Sequence, residues 1–335
     1  MFPYRSAAKS NHRPDIRLDF RPLPLLSNPH VQTLLGHFLR GWDRFGVTDE
    51  HILKLPDGDV LVLHDTVPQG WQDGEPIVVL VHGLTGSHAS PQVICTGRML
   101  FEQGVRVVRL DLRGAGKSLP LSRRFYHAGA SEDVRAALEE IHRLAPRAPI
   151  TLVGLSLGGN IVLKLAGEAA DRPVAGLTRV AALAPPIDLG RCANLICERR
   201  NRMYSNFFVR ELIAAARQRQ ECFPDLPPLN LPPQMTLRQY DDLYTAPRCG
   251  FVDADDYYRR SSSLSLIGRI QIPTLIMTAR DDPVIAVEPF EGLKPPTHVE
   301  LRILRHGGHL GFLGWDGAGG IRWAERRIVE CVKGW

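Results

Sequence analysis

The chain has 335 residues, of which 44% are hydrophobic and 23% charged, so it can bury a large core. Its net charge of +5 is small, and no dense lysine run with interleaved aromatic residues marks a nucleic-acid-binding surface. No segment approaches the roughly 20 apolar residues that cross a bilayer, and residues 1–11 lack the apolar stretch of a secretory signal. With six scattered cysteines that we expect to be reduced, the composition predicts a cytoplasmic protein without a membrane span.

Residues 1–21 are polar and predict a loosely held N-terminal arm. A helix should follow, because Asn28 is a good N-cap and Pro29 suits the first helical position. We expect its apolar face to pack in the core against a sheet rather than to contact a membrane. That face consists of Val31, Leu34, Leu35, Phe38 and Leu39.

Eight apolar segments predict strands. The first two are joined by the turn Pro56-Asp57-Gly58, and the later ones alternate with helical segments. This alternation predicts an α/β fold with a mostly parallel sheet and right-handed crossovers. The predicted strands are 50–55, 60–65, 77–82, 105–111, 150–154, 179–184, 274–278 and 299–304.

A glycine-rich segment after the fourth strand, Gly114-Ala-Gly-Lys-Ser118, is similar to a phosphate-binding loop. That motif requires a glycine at position 111, which is aspartate here. We therefore interpret Asp111 and Arg113 as braces of a strand-end loop. The chain has no His-Glu-x-x-His or Cys-x-x-Cys motif either, so we expect no metal and no organic cofactor.

The most informative segment is Gly154-Leu-Ser156-Leu-Gly158, between the fifth strand and a helical segment. A sharp strand-to-helix turn strains the backbone and brings strands close together, so small residues must flank the serine. Such a turn would hold the Ser156 hydroxyl above the sheet and direct the Leu157 N–H toward a developing oxyanion. A glycine-rich turn with an incidental serine is the alternative.

A long insertion, residues 188–269, lies between the sixth and seventh strands. The first half of this insertion combines arginines with large apolar side chains. The apolar residues could guard an acyl pocket, and the arginines could meet an anionic head group or a membrane surface. For the charges we favour a solvated basic face. The arginines are Arg191, Arg199, Arg200, Arg202, Arg210, Arg217 and Arg219, and the apolar residues are Leu195, Ile196, Met203, Tyr204, Phe207 and Phe208.

The last two strands are followed by the partners that a nucleophilic serine requires. Asp281 and Asp282 compete for the role of the acid after the seventh strand. His306 and His309 follow the eighth strand. His309 is the better candidate base, because the preceding glycines let the loop fold over the serine and apolar residues follow it. The order along the chain is thus serine, acid, histidine.

Seven motifs occur in order along the chain: 28–34, 82–86, 113–118, 126–129, 154–160, 279–283 and 307–311. Together they resemble the α/β-hydrolase superfamily, in particular its branch of bacterial YheT-type esterases, which is related to eukaryotic α/β-hydrolase-domain lipases and acyltransferases. The serine, acid and histidine motifs occur throughout the superfamily. The motif Asn-Pro-His-x-Gln-Thr-Leu at 28–34 indicates this branch.

The resemblance implies an α/β-hydrolase core built from residues 22–187 and 270–335, and it implies that the insertion at 188–269 is a helical cap over the active site. It assigns the nucleophile to Ser156, the base to His309 and the acid to Asp282. Asp282 is preferred over Asp281 because the acid of the family follows three residues after the small residue that ends its strand, which is Ala279 here.

The resemblance also implies an oxyanion hole made by the N–H groups of Leu84 and Leu157, with His82 shaping the loop. We predict cleavage of a small-molecule or lipid ester through an acyl-enzyme. Acyl transfer to an alcohol is one alternative, although the His-x4-Asp signature of some relatives has Glu132 in place of its aspartate after His127. A catalytically silent binding protein is the other, and a complete triad argues against it. The sequence leaves peripheral membrane contact and the oligomeric state open.

Overall fold

The computed structural model describes residues 20–39 and 46–334. The predicted N-terminal arm, apart from residues 20 and 21, lies outside the described residues. In the described part of the chain, no helix is both long and apolar enough to cross a membrane. The cytoplasmic location stays a prediction.

In the described part of the chain, eight strands form one sheet in the order β1-β2-β4-β3-β5-β6-β7-β8. Strand β2 pairs antiparallel with β1 and β4, and all other neighbours are parallel. The predicted mostly parallel sheet is therefore confirmed, and each predicted strand has an observed counterpart. The strands are β1 (Thr48–Lys54), β2 (Val60–Thr66), β3 (Ile77–Val81), β4 (Arg106–Asp111), β5 (Ile150–Leu155), β6 (Leu177–Leu183), β7 (Thr274–Ala279) and β8 (Val299–Leu304).

Helices flank the sheet and fill the segment between β6 and β7. The described helices are α1 (Pro29–Phe38), α2 (Pro91–Phe101), α3 (Ser131–Leu144), α4 (Leu157–Glu168), α5 (Leu189–Cys197), α6 (Arg202–Cys222), α7 (Leu237–Tyr240), α8 (Ala246–Arg248), α9 (Ala254–Ser261), α10 (Glu288–Glu291) and α11 (Trp323–Gly334).

The core lies on both faces of the central strands. Successive residues of β3 alternate between two hydrophobic clusters, because side chains along a strand point to opposite faces. Ile77 and Val79 belong to the cluster that includes α3 and α4, whereas Val78 and Leu80 belong to the one that includes α2 and α11. Both faces of the central strands are thus covered, which explains their continuous apolar sequences.

The insertion between β6 and β7 is helical, and its buried side chains join the hydrophobic core on one face of the sheet. Cys192, Ile196, Tyr204 and Tyr240 belong to the hydrophobic cluster of α3 and α4. Six of the seven arginines in its first half are exposed, as expected for a solvated basic face. Arg219 departs from that expectation, because it is only 6% exposed.

The expectation that α1 buries its apolar face is wrong. The buried residues of α1 are Gln32, Thr33 and Gly36, whereas Phe38 is 68% exposed. The reason is the neighbour of α1, which is the irregular loop after β8 rather than a flat sheet. A Cβ atom on Gly36 would lie 2.8 Å from the Cα atom of Gly311, so only a small residue fits there. Polar side chains are needed on the buried face of α1 because the backbone of this loop requires hydrogen-bond partners.

Candidate active site

Ser156 lies at the turn between β5 and α4, with a positive φ of 52°. Its backbone N–H donates to the carbonyl oxygen of Leu183 at 2.9 Å, which ties the turn to β6. A Cβ atom on Gly158 would collide with the carbonyl oxygens of Val81 and His82. A glycine is therefore required for the close approach that holds Ser156 at the carboxyl end of the central strands.

Three predicted residues meet at this end of the sheet. Ser156 Oγ lies 2.9 Å from His309 Nε2, and His309 Nδ1 lies 3.0 Å from Asp282 Oδ2. The other oxygen of Asp282 accepts the N–H groups of Val284 at 2.7 Å and Ile285 at 3.0 Å. Because a carboxylate faces Nδ1, that nitrogen carries the proton, and Nε2 can accept the proton of the serine hydroxyl.

The competing residues Asp281 and His306 lie in the same loops but contact each other. His306 Nδ1 is 3.1 Å from one oxygen of Asp281, and the N–H of Gly308 donates to the other at 3.0 Å. Asp281 thus braces the loop that carries His309, while Asp282 contacts the imidazole itself. The structure thus brings Asp282 next to His309 and Asp281 next to His306.

The two predicted oxyanion donors flank Ser156. Leu157 is the first residue of α4, and Leu84 follows the His82-Gly83 turn after β3. Leu84, Ser156 and Leu157 line one narrow space. Neither leucine N–H donates a hydrogen bond among the described residues, which keeps both as candidate oxyanion donors.

Two side chains brace the loop that carries Leu84. The Nδ1 of His82 donates to the Gly83 carbonyl oxygen at 2.8 Å, while its Nε2 accepts the N–H of Leu112 at 3.3 Å. Burial lowers the pKa of His82, so the neutral imidazole that these two bonds require is the favoured form. Tyr126 Oη accepts the N–H of Thr85 at 2.7 Å and donates to the Gly83 carbonyl oxygen at 3.3 Å.

Comparison with known proteins identifies the fold family. A family profile described as the alpha/beta hydrolase fold matches residues 76–314. The chain belongs to the α/β-hydrolase family. Over 320 residues it is also 34% identical to "Putative esterase YheT" of Escherichia coli (strain K12), a match that covers 94% of this chain and 93% of that protein.

More distant proteins agree with this assignment. This hydrolase is 27% identical to a monoacylglycerol lipase of Saccharomyces cerevisiae, over 78% of its own length and 60% of the lipase. A crystal structure of an esterase from Pyrococcus furiosus superimposes with a TM-score of 0.56 at 17% identity, covering 87% of this chain and 93% of that one. These comparisons confirm the prediction of an α/β-hydrolase of the esterase and lipase type.

Helix α1 positions the histidine loop of this hydrolase, a role that sequence reasoning missed. Thr33 Oγ1 accepts the backbone N–H of His309 at 2.9 Å and donates to the Pro29 carbonyl oxygen at 2.7 Å. Gln32 accepts the N–H of Leu313 at 2.7 Å and donates to its carbonyl oxygen at 3.1 Å. The available signal was the motif at 28–34, which contains both residues.

Replacing Thr33 with valine should lower kcat by about tenfold or more, because valine cannot accept the His309 N–H and small displacements of a catalytic group are costly. Thr33→Ser is the matched control, since it keeps the hydroxyl, and should stay within about threefold of wild type. Steady-state kinetics with one soluble ester, together with melting temperatures, provide the test. Equal kcat values for the two variants would contradict the positioning role.

One group of described side chains has the residue types of a metal site, namely His64, His88 and Asp111. His64 Nε2 and His88 Nδ1 lie 2.9 Å and 2.8 Å from the same oxygen of Asp111. The carboxylate also accepts the backbone N–H groups of His88 at 2.7 Å and Lys117 at 2.9 Å. These contacts make Asp111 the hydrogen-bond acceptor that ties together the loops around it, in line with the bracing role predicted for it.

A cavity of about 710 Å³ opens from Ser156 and His309 toward α1 and α6. Leu34 and Phe38, two of the exposed apolar residues of α1, form part of the wall of this cavity. The insertion supplies the opposite wall. We call this space the apolar cavity, after the side chains that dominate it: Leu34, Phe38, Met203, Phe207, Phe208 and Leu310.

Proposed function

We propose that this hydrolase cleaves a carboxylic ester through an acyl-enzyme on Ser156. The observation that carries the proposal is the continuous hydrogen-bonded chain from Ser156 through His309 to Asp282, with distances of 2.9 Å and 3.0 Å. His309 Nε2 takes the proton of the serine hydroxyl as its oxygen attacks the ester carbonyl carbon. Asp282 holds the ring and stabilises the imidazolium that forms.

The tetrahedral intermediate carries its negative charge on the former carbonyl oxygen. The N–H groups of Leu84 and Leu157 stabilise this oxyanion, and the loss of one such donor typically costs about 100-fold to 1,000-fold in kcat. As the intermediate collapses, the imidazolium returns its proton to the leaving alcohol. Water then attacks the acyl-serine with His309 as the base, which releases the acid and restores the serine.

A fluorophosphonate probe tests this proposal against a catalytically silent binding protein. An activated serine forms a covalent phosphonyl adduct, whereas an ordinary serine hydroxyl does not react at a comparable rate. We expect the wild-type protein to be labelled at Ser156 and a soluble ester to compete with the label. Absence of labelling in folded protein would favour the binding-protein alternative.

Acyl transfer uses the same acyl-enzyme and differs only in whether water or an alcohol attacks it. We propose hydrolysis as the dominant reaction, because the His-x4-Asp signature of some transferases is incomplete at Glu132. Adding short-chain alcohols to the assay and measuring the ratio of new ester to free acid distinguishes the two. A ratio of new ester to free acid that far exceeds the molar ratio of alcohol to water in the solution would favour the transferase.

We further propose that the insertion, residues 188–269, acts as a cap on a core made of residues 22–187 and 270–335. Helix α6 contributes Met203, Tyr204, Phe207 and Phe208 to the wall of the apolar cavity beside Ser156. An acyl chain bound there would be stabilised by roughly 0.8 kcal/mol per buried methylene. This arrangement favours acyl chains longer than acetyl.

The kcat/KM for 4-nitrophenyl esters should rise from acetyl to octanoyl, because each added methylene can bury itself in the apolar cavity. The double variant Phe207→Ala with Phe208→Ala should flatten this rise, lowering octanoyl hydrolysis more than acetyl hydrolysis. Phe223→Ala is the matched control, since Phe223 follows the end of α6 and does not line the cavity. Assays below the critical micelle concentration that gave a flat or falling wild-type profile would contradict the acyl-pocket proposal.

A further inference from the structure

A second cavity, of about 260 Å³, shares the Leu84-Thr85-Gly86 segment of its wall with the apolar cavity. It shares Leu84 and Leu157 with the narrow space beside Ser156, so it adjoins the predicted oxyanion hole. Its lining differs from that of the apolar cavity because polar side chains are numerous. We call it the polar cavity, and its polar lining includes Tyr126, His127, Gln218, Arg219, Asp241 and Thr245.

Arg219 is the unusual member of this lining. It is 6% exposed, yet it forms no ion pair with any described carboxylate. One nitrogen donates to the hydroxyl of Tyr244, while the buried Nε has no hydrogen-bond partner among the residues that the structure describes. The guanidinium stacks over the ring of Phe125, with its central carbon 4.4 Å from the ring centroid. A buried cation with unused donors is costly, so an anion that supplies acceptors would be bound favourably.

The two acids that line the polar cavity have other partners. Asp241 accepts the hydroxyl of Tyr258 at 2.7 Å, and burial raises the pKa of Asp241 to about 6, so its carboxylate is largely ionised at pH 7 and becomes neutral below pH 6. Glu211 lies 3.2 Å from the exposed Arg210. A second cation, Arg248, stacks on the ring of Tyr244 at 5.4 Å. Among the described residues, neither acid forms an ion pair with Arg219 or Arg248.

We propose that Arg219 forms an anion-binding subsite for a phosphate group on the alcohol part of the ester. The inference rests on the proposed ester hydrolysis and adds its substrate class. The acyl chain would enter the apolar cavity, the ester carbonyl would lie at Ser156, and the phosphate would lie in the polar cavity. The planar guanidinium suits this ligand because two of its N–H groups can bond two phosphate oxygens at once.

Two esters with the same acyl chain test the subsite, namely octanoylglycerol and octanoylglycerol 3-phosphate. Wild-type protein should prefer the phosphorylated ester in kcat/KM. Arg219→Met should lower this preference by about tenfold or more, in line with the strength of charged hydrogen bonds. Arg217→Met is the matched control, because Arg217 is an exposed arginine on the same helix, and it should leave the preference unchanged. Arg219→Lys should keep part of the preference, since it retains the charge but not the planar fork.

Inorganic phosphate distinguishes a phosphate on the substrate from a free ion. It should inhibit hydrolysis of the phosphorylated ester in the wild type and in Arg217→Met, and inhibit Arg219→Met more weakly. A rate change with free phosphate that depends on Arg219, without any preference for the phosphorylated ester, would overturn the assignment to the substrate. Equal preference in the Met variants at 217 and 219 would overturn the subsite as well.

The neutral ester separates the failure of this inference from failure of the proposed function. Arg219→Met should hydrolyse octanoylglycerol within about threefold of wild type, because no anion is present in that substrate. If Arg219→Met hydrolyses octanoylglycerol more slowly than that, the two esters are compared in Arg219→Lys instead, because this variant conserves the charge and most of the packing. Failure of the wild type to hydrolyse either ester or to react with a fluorophosphonate would contradict the proposed function itself.

Discussion

Ser156→Ala is expected to lower kcat for ester hydrolysis by about 10,000-fold or more, because it removes the atom that forms the acyl-enzyme. The fold should remain intact. Alanine has the same small volume and meets the same positive φ of 52° that the serine already tolerates. The measurements are kcat with a soluble ester and the thermal unfolding midpoint, and the midpoint should change by no more than a few degrees.

Ser90→Ala is the matched control for this experiment. Ser90 lines the apolar cavity, but its hydroxyl oxygen accepts the backbone N–H of Ser87 at 3.0 Å and does not contact His309. The Ser90 variant should keep most of the wild-type activity. Loss of activity at Ser90 with activity retained in Ser156→Ala would place the nucleophile elsewhere.

Asp282→Asn is expected to lower kcat by about 10,000-fold, because the amide removes the negative charge and favours the wrong tautomer of His309. The neighbouring Asp281→Asn should stay within about threefold of wild type. Its amide oxygen can still accept the N–H of Gly308, which is the bond that braces the histidine loop. Both variants should be compared by kcat with one ester and by melting temperature.

The pair of variants is informative because the two aspartates are adjacent and share one loop. A general effect of the substitution on folding would lower activity in both. A large loss at Asp281 with a small loss at Asp282 would reverse the assignment of the acid, although His309 Nδ1 lies 3.0 Å from Asp282.

The parts of the fold that follow from local chemistry could be predicted from the sequence. Strands such as β3 are continuous apolar segments rich in β-branched residues, and covering both faces of a parallel strand requires a continuous apolar sequence. The turn at Ser156 could be placed because a glycine such as Gly158 is needed wherever backbones approach this closely. The loop that carries His309 could be recognised from its glycines for the same reason.

The parts that depend on contacts between distant segments could not be predicted in this way. Thr33 and His309 are 276 positions apart, and no local pattern in α1 indicates that its polar face is the buried one. The spacing of the apolar residues predicts that the opposite face of α1 is buried. That prediction assumes that α1 packs against the core, whereas it packs against a cavity and an irregular loop. The motif at 28–34 identified the segment as informative but not the function of Gln32 or Thr33.

The insertion shows the same limit for charged residues. Arg217 and Arg219 are two positions apart on α6, and composition alone gives both the same interpretation as solvated cations. The structure exposes Arg217 and buries Arg219 beneath Phe125 and Tyr244. The neighbouring elements decide which arginine of a basic helix is buried. The sequence of α6 does not say which elements those are.

The most direct test of the central claim is to trap the covalent intermediate. Wild-type protein mixed with 4-nitrophenyl octanoate, quenched with acid within the first turnover and digested should yield the peptide containing Ser156 with one octanoyl group added. Mass spectrometry should locate that group on Ser156, and the same peptide from Ser156→Ala should be unmodified. Ester turnover without any acylated peptide, or with the acyl group on a different residue, would contradict an acyl-enzyme mechanism at Ser156.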